Sequence, residues 1–206
     1  MIDKKHLFNQ TIIRSYDIRG IYNETLFDLD AKIIGNLFGL KVGKNKNVNI
    51  AYDGRLSSVS LKNELVEGLL EVGVNVTEIG RSPTPLLYFS CIKNNAAGGV
   101  MITGSHNPKH HNGFKFVFNN MPFYGDDLIK LSEKAKGFSF KRNRGKKIKQ
   151  CFKDEYINRI FKGINLKNKY RIAWDAGNGV AGELMSKIAK KINNQNFLLF
   201  ENVDGN

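Results

Sequence analysis

No apolar run in this 206-residue chain approaches the ~18 residues of a membrane span, so no membrane-spanning helix is expected. The opening segment MIDKKHLFNQ has no apolar stretch behind its basic residues. It does not read as a secretory leader, and the expected location is the cytoplasm. Cysteine is scarce: Cys91 and Cys151 are too few for a disulfide framework and too isolated for a zinc site. Acidic residues are also short, 19 Asp and Glu against 32 Lys and Arg, which leaves a formal charge of +13. What is present is enough apolar material, 41% hydrophobic and 11% aromatic, to exclude a disordered chain. At roughly 150 residues per domain, the length suits one domain and part of another.

The excess positive charge raises nucleic acid or an anionic substrate as partners. Most lysines, however, are scattered among asparagines, as in Lys41-Val42-Gly43-Lys44-Asn45-Lys46-Asn47. The one dense run, Lys141 to Lys149, has no interleaved aromatics to stack on bases and falls between two patterned stretches. It reads as a solvated linker, and no nucleic-acid partner is expected.

Strand and helix signals alternate, as in an α/β fold. Asp28 or Asp30 can cap a helix reaching about Val42, with Ile33, Ile34, Leu37 and Phe38 as its apolar face. Val48 to Tyr52 alternates like a strand and stops at Asp53-Gly54-Arg55. Ser57 or Ser58 opens a helix carrying Leu61, Leu65, Leu69 and Val72, ended by Gly73. A strand over Val74–Ile79, a helix opened by Pro83-Thr84-Pro85 and a buried strand over Gly98–Thr103 follow. Another strand covers Phe114–Phe118, and a helix from Asp126 to about Lys136 closes a first domain, taken as residues 1–150. Beyond the basic run the pattern restarts as a helix over Asp154–Ile164, a strand over Tyr170–Trp174, a helix over Gly182–Ile192 and a strand over Phe197–Val203. Residues 151–206 therefore read as the start of a second α/β domain, too small to be robust alone.

Within this frame Thr103-Gly104-Ser105-His106-Asn107-Pro108 is the most informative segment. Glycine before the serine allows close backbone approach and Pro108 enforces a turn, so Ser105 sits exposed beyond a strand end. A nucleophile elbow does not fit, because Thr103 and Asn107 stand where glycines are needed. Gly177-Asn178-Gly179-Val180-Ala181-Gly182 matches the dinucleotide fingerprint, with Glu201 some twenty residues on. Asp175, just before it, could carry a carboxylate toward a pyrophosphate, so the glycines read as a structural turn.

Three segments in order, Ser15-Tyr16-Asp17-Ile18-Arg19-Gly20, Ala51-Tyr52-Asp53-Gly54-Arg55-Leu56-Ser57 and the Ser105 loop with Asn112-Gly113-Phe114-Lys115, resemble the α-D-phosphohexomutase superfamily. The bacterial phosphomannomutase/phosphoglucomutase branch looks nearest. The likeness continues through Asp175–Gly182 to Val203-Asp204-Gly205-Asn206 and so covers nearly the whole chain. It implies a mixed sheet sandwiched by helices, the superfamily's first domain, followed by the start of a second similar domain.

The resemblance also implies roles. Ser105 would carry a phosphoryl group, passed to one hydroxyl of a hexose phosphate and recovered from the other through a hexose 1,6-bisphosphate. His106 and Lys115 would flank that phosphate, and Arg19 and Tyr16 would bind substrate at the same centre. Asp53 and Arg55 stay open between a site role and a strand-end turn with a local ion pair. The residue types suit the chemistry: phosphoserine carries about −1.5 to −2 charge, and phosphoryl transfer depends on alignment and charge stabilisation. Arg19 can grip two oxygens, Lys115 is a compact cation, and His106 could move a hydroxyl proton.

The superfamily holds Mg²⁺ between the phosphoserine and three aspartates of an Asp-Gly-Asp-Gly-Asp-Arg loop. That loop is missing here; the only Asp-x-Asp is Asp28-Leu29-Asp30, at a helix start. Ser105, through its phosphate, is thus the one metal ligand the resemblance implies in this chain. The expectation is the N-terminal portion of a mutase, weak or inactive alone and dependent on a separately supplied C-terminal portion. The competing reading is a non-catalytic remnant that binds a sugar phosphate or a partner.

Overall fold

The computed structural model describes residues 1–163, 169–192 and 195–206. In chain order its elements are β1 (Ile2–Lys4), β2 (Ile18–Ile21), α1 (Asp28–Val42), β3 (Asn47–Tyr52), α2 (Ser58–Glu71), β4 (Asn75–Arg81), α3 (Thr84–Lys93), β5 (Gly98–Ile102) and β6 (His111–Phe118). There follow β7 (Met121–Phe123), α4 (Asp126–Lys134), β8 (Phe138–Phe140), β9 (Lys147–Lys149), α5 (Lys153–Phe161), β10 (Arg171–Asp175), α6 (Gly182–Lys191) and β11 (Gln195–Leu199). Among the described residues no helix is long and apolar enough to cross a membrane.

A seven-stranded mixed sheet in the order β2-β6-β5-β3-β4-β9, with β7 added to β6, forms the centre. β3 runs parallel to β4 and β5, whereas β6 is antiparallel to β2, β5 and β7. Because β3 and β5 are adjacent and parallel, Asp53 and Thr103 leave the sheet side by side at the carboxyl ends of these strands. That is where ligands gather in open α/β sheets. Helices α1, α2 and α4 bury Leu37, Phe38, Leu65, Leu69 and Leu128 on one face of the sheet. On the other face Leu86, Leu87 and Cys91 of α3 share an apolar cluster with Phe152, Ile157 of α5 and Leu184 of α6. The segments beyond residue 150 thus pack directly onto the first sheet. Burial there pushes the Cys91 thiol up to about 12, while Cys151 is exposed.

The expected alternation is present, with informative departures. Asp30 does not precede α1; from inside the first turn its carboxylate accepts the N–H of Phe27 at 2.7 Å, and Phe27 is the N-cap. The basic run is not simply a linker. Its side chains are mostly exposed, but Lys147–Lys149 extends the sheet as β9, parallel to β4, and Arg144 pairs with Glu67 at 2.6 Å. An edge strand needs hydrogen-bonding backbone on one side only, so charged side chains are compatible with it. The last strand runs over Gln195–Leu199 rather than Phe197–Val203, because Phe200 turns into the left-handed region (φ 48°). The helix expected over Asp154–Ile164 is seen as α5, and its expected end at Ile164 lies outside the described residues. β10 and β11 pair in parallel through α6 as a separate two-stranded sheet.

A buried ion cluster ties the N-terminal strand to the helical layer. Glu71 accepts from Lys4 and Lys32 at 3.1 Å each, and Asn36 donates to it at 3.3 Å. Burial opposes the charge, but hydrogen bonds from Lys4, Lys32 and Asn36, with the charge of Lys4, hold the carboxyl below its ordinary 4.5. A group depressed in this way stabilises the fold fully above 4.5, and the contribution fades as pH falls through the lower folded value. Urea midpoints of the native chain should therefore drop below pH 4.5. Glu71→Gln should be less stable at pH 7 and show a shallower acid limb; an acid limb of unchanged steepness would remove Glu71 as its source.

Candidate active site

The Ser105 loop is built by short-range bonds. Thr103 closes β5 by donating its N–H to Gly113 O at 3.0 Å, and its Oγ1 accepts the N–H of Ser105 at 2.8 Å. Asn107 returns both its backbone N–H and its side-chain amide to Gly104 O at 3.1 Å. Ser105 is thereby held at φ 52°, a left-handed conformation that is costly for a residue with a Cβ, and its side chain is exposed. The Ser105 hydroxyl lies 3.3 Å from Nδ1 of His106.

The two cations of the expected site converge on one carboxylate. Arg19, on β2, donates to Thr103 O at 2.8 Å and pairs with Asp17. Lys115, on β6, reaches the same Asp17 Oδ2 at 2.8 Å. Arg19 and Asp17 are each only 8% exposed, so these charges sit in a preset arrangement beside the loop. Tyr16 is exposed and tilts against Tyr124 with ring centroids 6.0 Å apart. Asp17 has no role in the sequence reading. The signal was its place two residues before Arg19, but that Lys115 completes the triplet is visible only across the paired strands. The field is positive: partial burial and the charges of His110, Arg55, Arg19 and Arg14 hold His111 below the usual histidine range.

Asp53 is more than half of a local ion pair. Its carboxylate accepts from Gly104 N at 2.9 Å, Ser58 Oγ at 2.6 Å, and Arg55 N and Nε at 3.0 and 3.2 Å. It therefore fastens the end of β3 to the serine loop and to the start of α2.

An open cavity of about 540 Å³ lies over this edge. Ser105, Asn107 and Lys109 line one side, and the Gly177–Ala181 turn and Asp204–Asn206 line the other. In that glycine turn Asp175 already accepts the N–H of Gly177 at 2.8 Å. Gly182 is needed for packing, since a Cβ there would stand 1.9 Å from Glu201 O. Among the described residues no group of three or more His, Cys, Asp or Glu could hold a metal ion, and Asp53 is already saturated by protein donors. These residues do not make a complete Mg²⁺ site.

This mixed-sheet α/β protein thus carries a strained, exposed serine just beyond the carboxyl end of β5, with a histidine beside it and two cations fixed on Asp17 close by. Residues 10–142 match the family described as phosphoglucomutase/phosphomannomutase, alpha/beta/alpha domain I, and the chain belongs to that family. It is 38% identical over 199 residues to a phosphoglucomutase of Neisseria meningitidis serogroup B, covering 94% of this chain and 43% of the relative. A phosphomannomutase/phosphoglucomutase of Pseudomonas syringae pv. tomato is 35% identical over 95% of this chain and 43% of its own length. A solved phosphoglucomutase/phosphomannomutase family protein from Burkholderia thailandensis superposes with a TM-score of 0.88 at 35% identity, covering 97% of this chain and 46% of that one. The chain thus spans less than half the length of these relatives.

Proposed function

We propose that this chain is the phosphoserine-bearing portion of a phosphohexomutase that moves phosphate between the 1- and 6-positions of a hexose. The carrying observation is Ser105, exposed in a left-handed turn with His106 Nδ1 at 3.3 Å and the Arg19–Asp17–Lys115 triplet beside the loop. In the proposed cycle a phosphoryl group sits on Ser105 Oγ. A sugar hydroxyl attacks its phosphorus, the Ser105 Oγ–P bond breaks with its electron pair left on Oγ, and the hydroxyl proton passes by way of a neighbouring base, for which His106 is the candidate, to that Oγ. The resulting hexose 1,6-bisphosphate returns its other phosphoryl group to Ser105 by the reverse step. Arg19 and Lys115 would balance the charge spreading over the equatorial oxygens, Arg19 by its two-pronged grip. At ~4 Å and an effective dielectric near 20, each such attraction is about 4 kcal/mol before desolvation. Tyr16, exposed beside Asp17, would meet the sugar.

A division near residue 150 belongs to the same proposal, with residues 1–150 carrying the phosphoserine and 151–206 opening the next domain. So does cytoplasmic work on glucose or mannose phosphates with Mg²⁺ held largely by residues outside this chain. Supporting the reading is the family membership together with a site already rich in fixed positive charge.

Incubation with hexose 1,6-bisphosphate labelled in its phosphates tests it. Label should appear on Ser105 when the C-terminal portion of a family relative is added, and not on the chain alone. Label that never reaches Ser105, or goes elsewhere, would favour a non-catalytic sugar-phosphate binder.

A further inference from the structure

Arg55 is engaged by the loop in an unusually complete way. A guanidinium has five N–H donors in a fixed planar fork. Here Nε donates to Asp53 Oδ2 at 3.2 Å. Nη1 donates to Pro108 O at 2.5 Å and His111 O at 3.0 Å, and Nη2 to Ser105 O at 3.0 Å and Asn107 O at 2.6 Å. Five donors thus meet five acceptors, and four of these are main-chain carbonyls within seven residues of Ser105. Gly104 makes room for the arrangement: a Cβ there would stand 2.0 Å from Arg55 Nε and 2.1 Å from Cζ. Asp53 completes it by binding both the Arg55 Nε and the N–H of Gly104.

Resting on the phosphoserine reading above, we propose that Arg55 is a positioning residue for phosphoryl transfer. It draws the carbonyls of the loop inward and so sets Ser105 and the outer face of the loop toward the phosphoryl group. The peptide bonds are trans, so each N–H points opposite to its carbonyl. With the carbonyls of Ser105 and Pro108 turned to Arg55, the N–H groups of His106 and Lys109 point away from it. The loop therefore offers donors and the serine hydroxyl outward, and acceptors inward. Every donor of the guanidinium is spent on the protein, so none is free to grip substrate. Lysine, with three donors and no plane, cannot reproduce the clamp.

Phosphoserine installed at position 105 during translation provides the test, because it does not depend on the chain phosphorylating itself. In ³¹P NMR the native chain should give one narrow resonance displaced from that of the urea-unfolded chain. Arg55→Lys, which keeps the charge, should broaden that line and move it toward the unfolded position while circular dichroism stays native. Arg55→Ala should do the same, with ethylguanidinium in the buffer restoring the native line; should this variant not fold, Arg55→Lys decides alone. With the C-terminal portion of a relative added, Arg55→Lys should lower kcat about 100-fold, the scale of a small misplacement of reacting groups, and change KM less than threefold. A native ³¹P line in Arg55→Lys overturns the proposal, and so does a raised KM at unchanged kcat, which would make Arg55 a substrate binder. Failure of the mutase reading would show separately, as turnover that survives loss of the Ser105 hydroxyl, and would leave the ³¹P comparison valid.

Discussion

Ser105→Ala should abolish mutase turnover by this chain combined with the C-terminal portion of a relative, a loss on the order of 10⁴-fold or more. Removing a covalent nucleophile leaves only the binding and charge-stabilising groups, which act on a reaction that no longer has its acceptor. Stability should hardly change. The Ser105 side chain is exposed and its hydroxyl lies against the neighbouring His106, whereas its backbone bond to Thr103 survives the substitution. Ser105→Gly makes the same deletion while relieving the strain at φ 52°, so it should be equally inactive and slightly more stable. Coupled turnover assays and thermal melts run side by side separate the two effects. Substantial turnover by either variant would remove Ser105 from the chemistry.

A loss of stability of about 3 kcal/mol is expected for Gly68→Ala, with a melting temperature lower by roughly 10 °C. Helices α1 and α2 touch backbone to backbone where Gly35 faces Gly68. A Cβ on Gly68 would lie 2.1 Å from Lys32 O and 3.0 Å from Asn36 N, and one on Gly35 would lie 2.3 Å from Leu65 O. Alanine ordinarily favours a helix over glycine by up to about 1 kcal/mol. Here the obstructing atoms are main chain and cannot rotate aside, so the clash dominates. Asn36 also donates to Gly68 O at 2.8 Å, and forcing the helices apart would strain that bond and, through Asn36, the Glu71 cluster. Gly137→Ala, where a Cβ meets nothing, serves as the control and should stay within about 0.5 kcal/mol. Equal melting curves for the two variants would mean that the helices yield more readily than this contact implies.

Much of the fold was legible residue by residue. The apolar spacing of Ile33, Ile34, Leu37 and Phe38 and of Leu61, Leu65 and Leu69 marked α1 and α2, and these side chains are buried. Gly73, expected to end α2, lies just beyond it at φ 86°. Less legible were features whose backbone partners are remote in the chain. Lys147–Lys149 has a single apolar residue, Ile148, in a run of lysines, and pairing with β4 makes it a strand. β6 starts at His111, three residues before the apolar run that announced it, because pairing to β2 extends it.

Short-range order therefore set the identity of the elements, the exposed serine turn and the family likeness, because helix periodicity, turn chemistry and the Gly-Ser-His-Asn-Pro segment act over a few neighbouring residues. The joining of Arg19 and Lys115 through Asp17, the Asp53–Arg55 clamp on the serine loop and the Lys4–Glu71–Lys32 cluster came only from the folded chain. Most of these contacts link residues 39 to 98 positions apart, and the sheet order β2-β6-β5-β3 is what brings those at the serine edge together. Charge and hydrogen-bond geometry act through distance in space, and no local pattern encodes which distant strand will be a residue's neighbour.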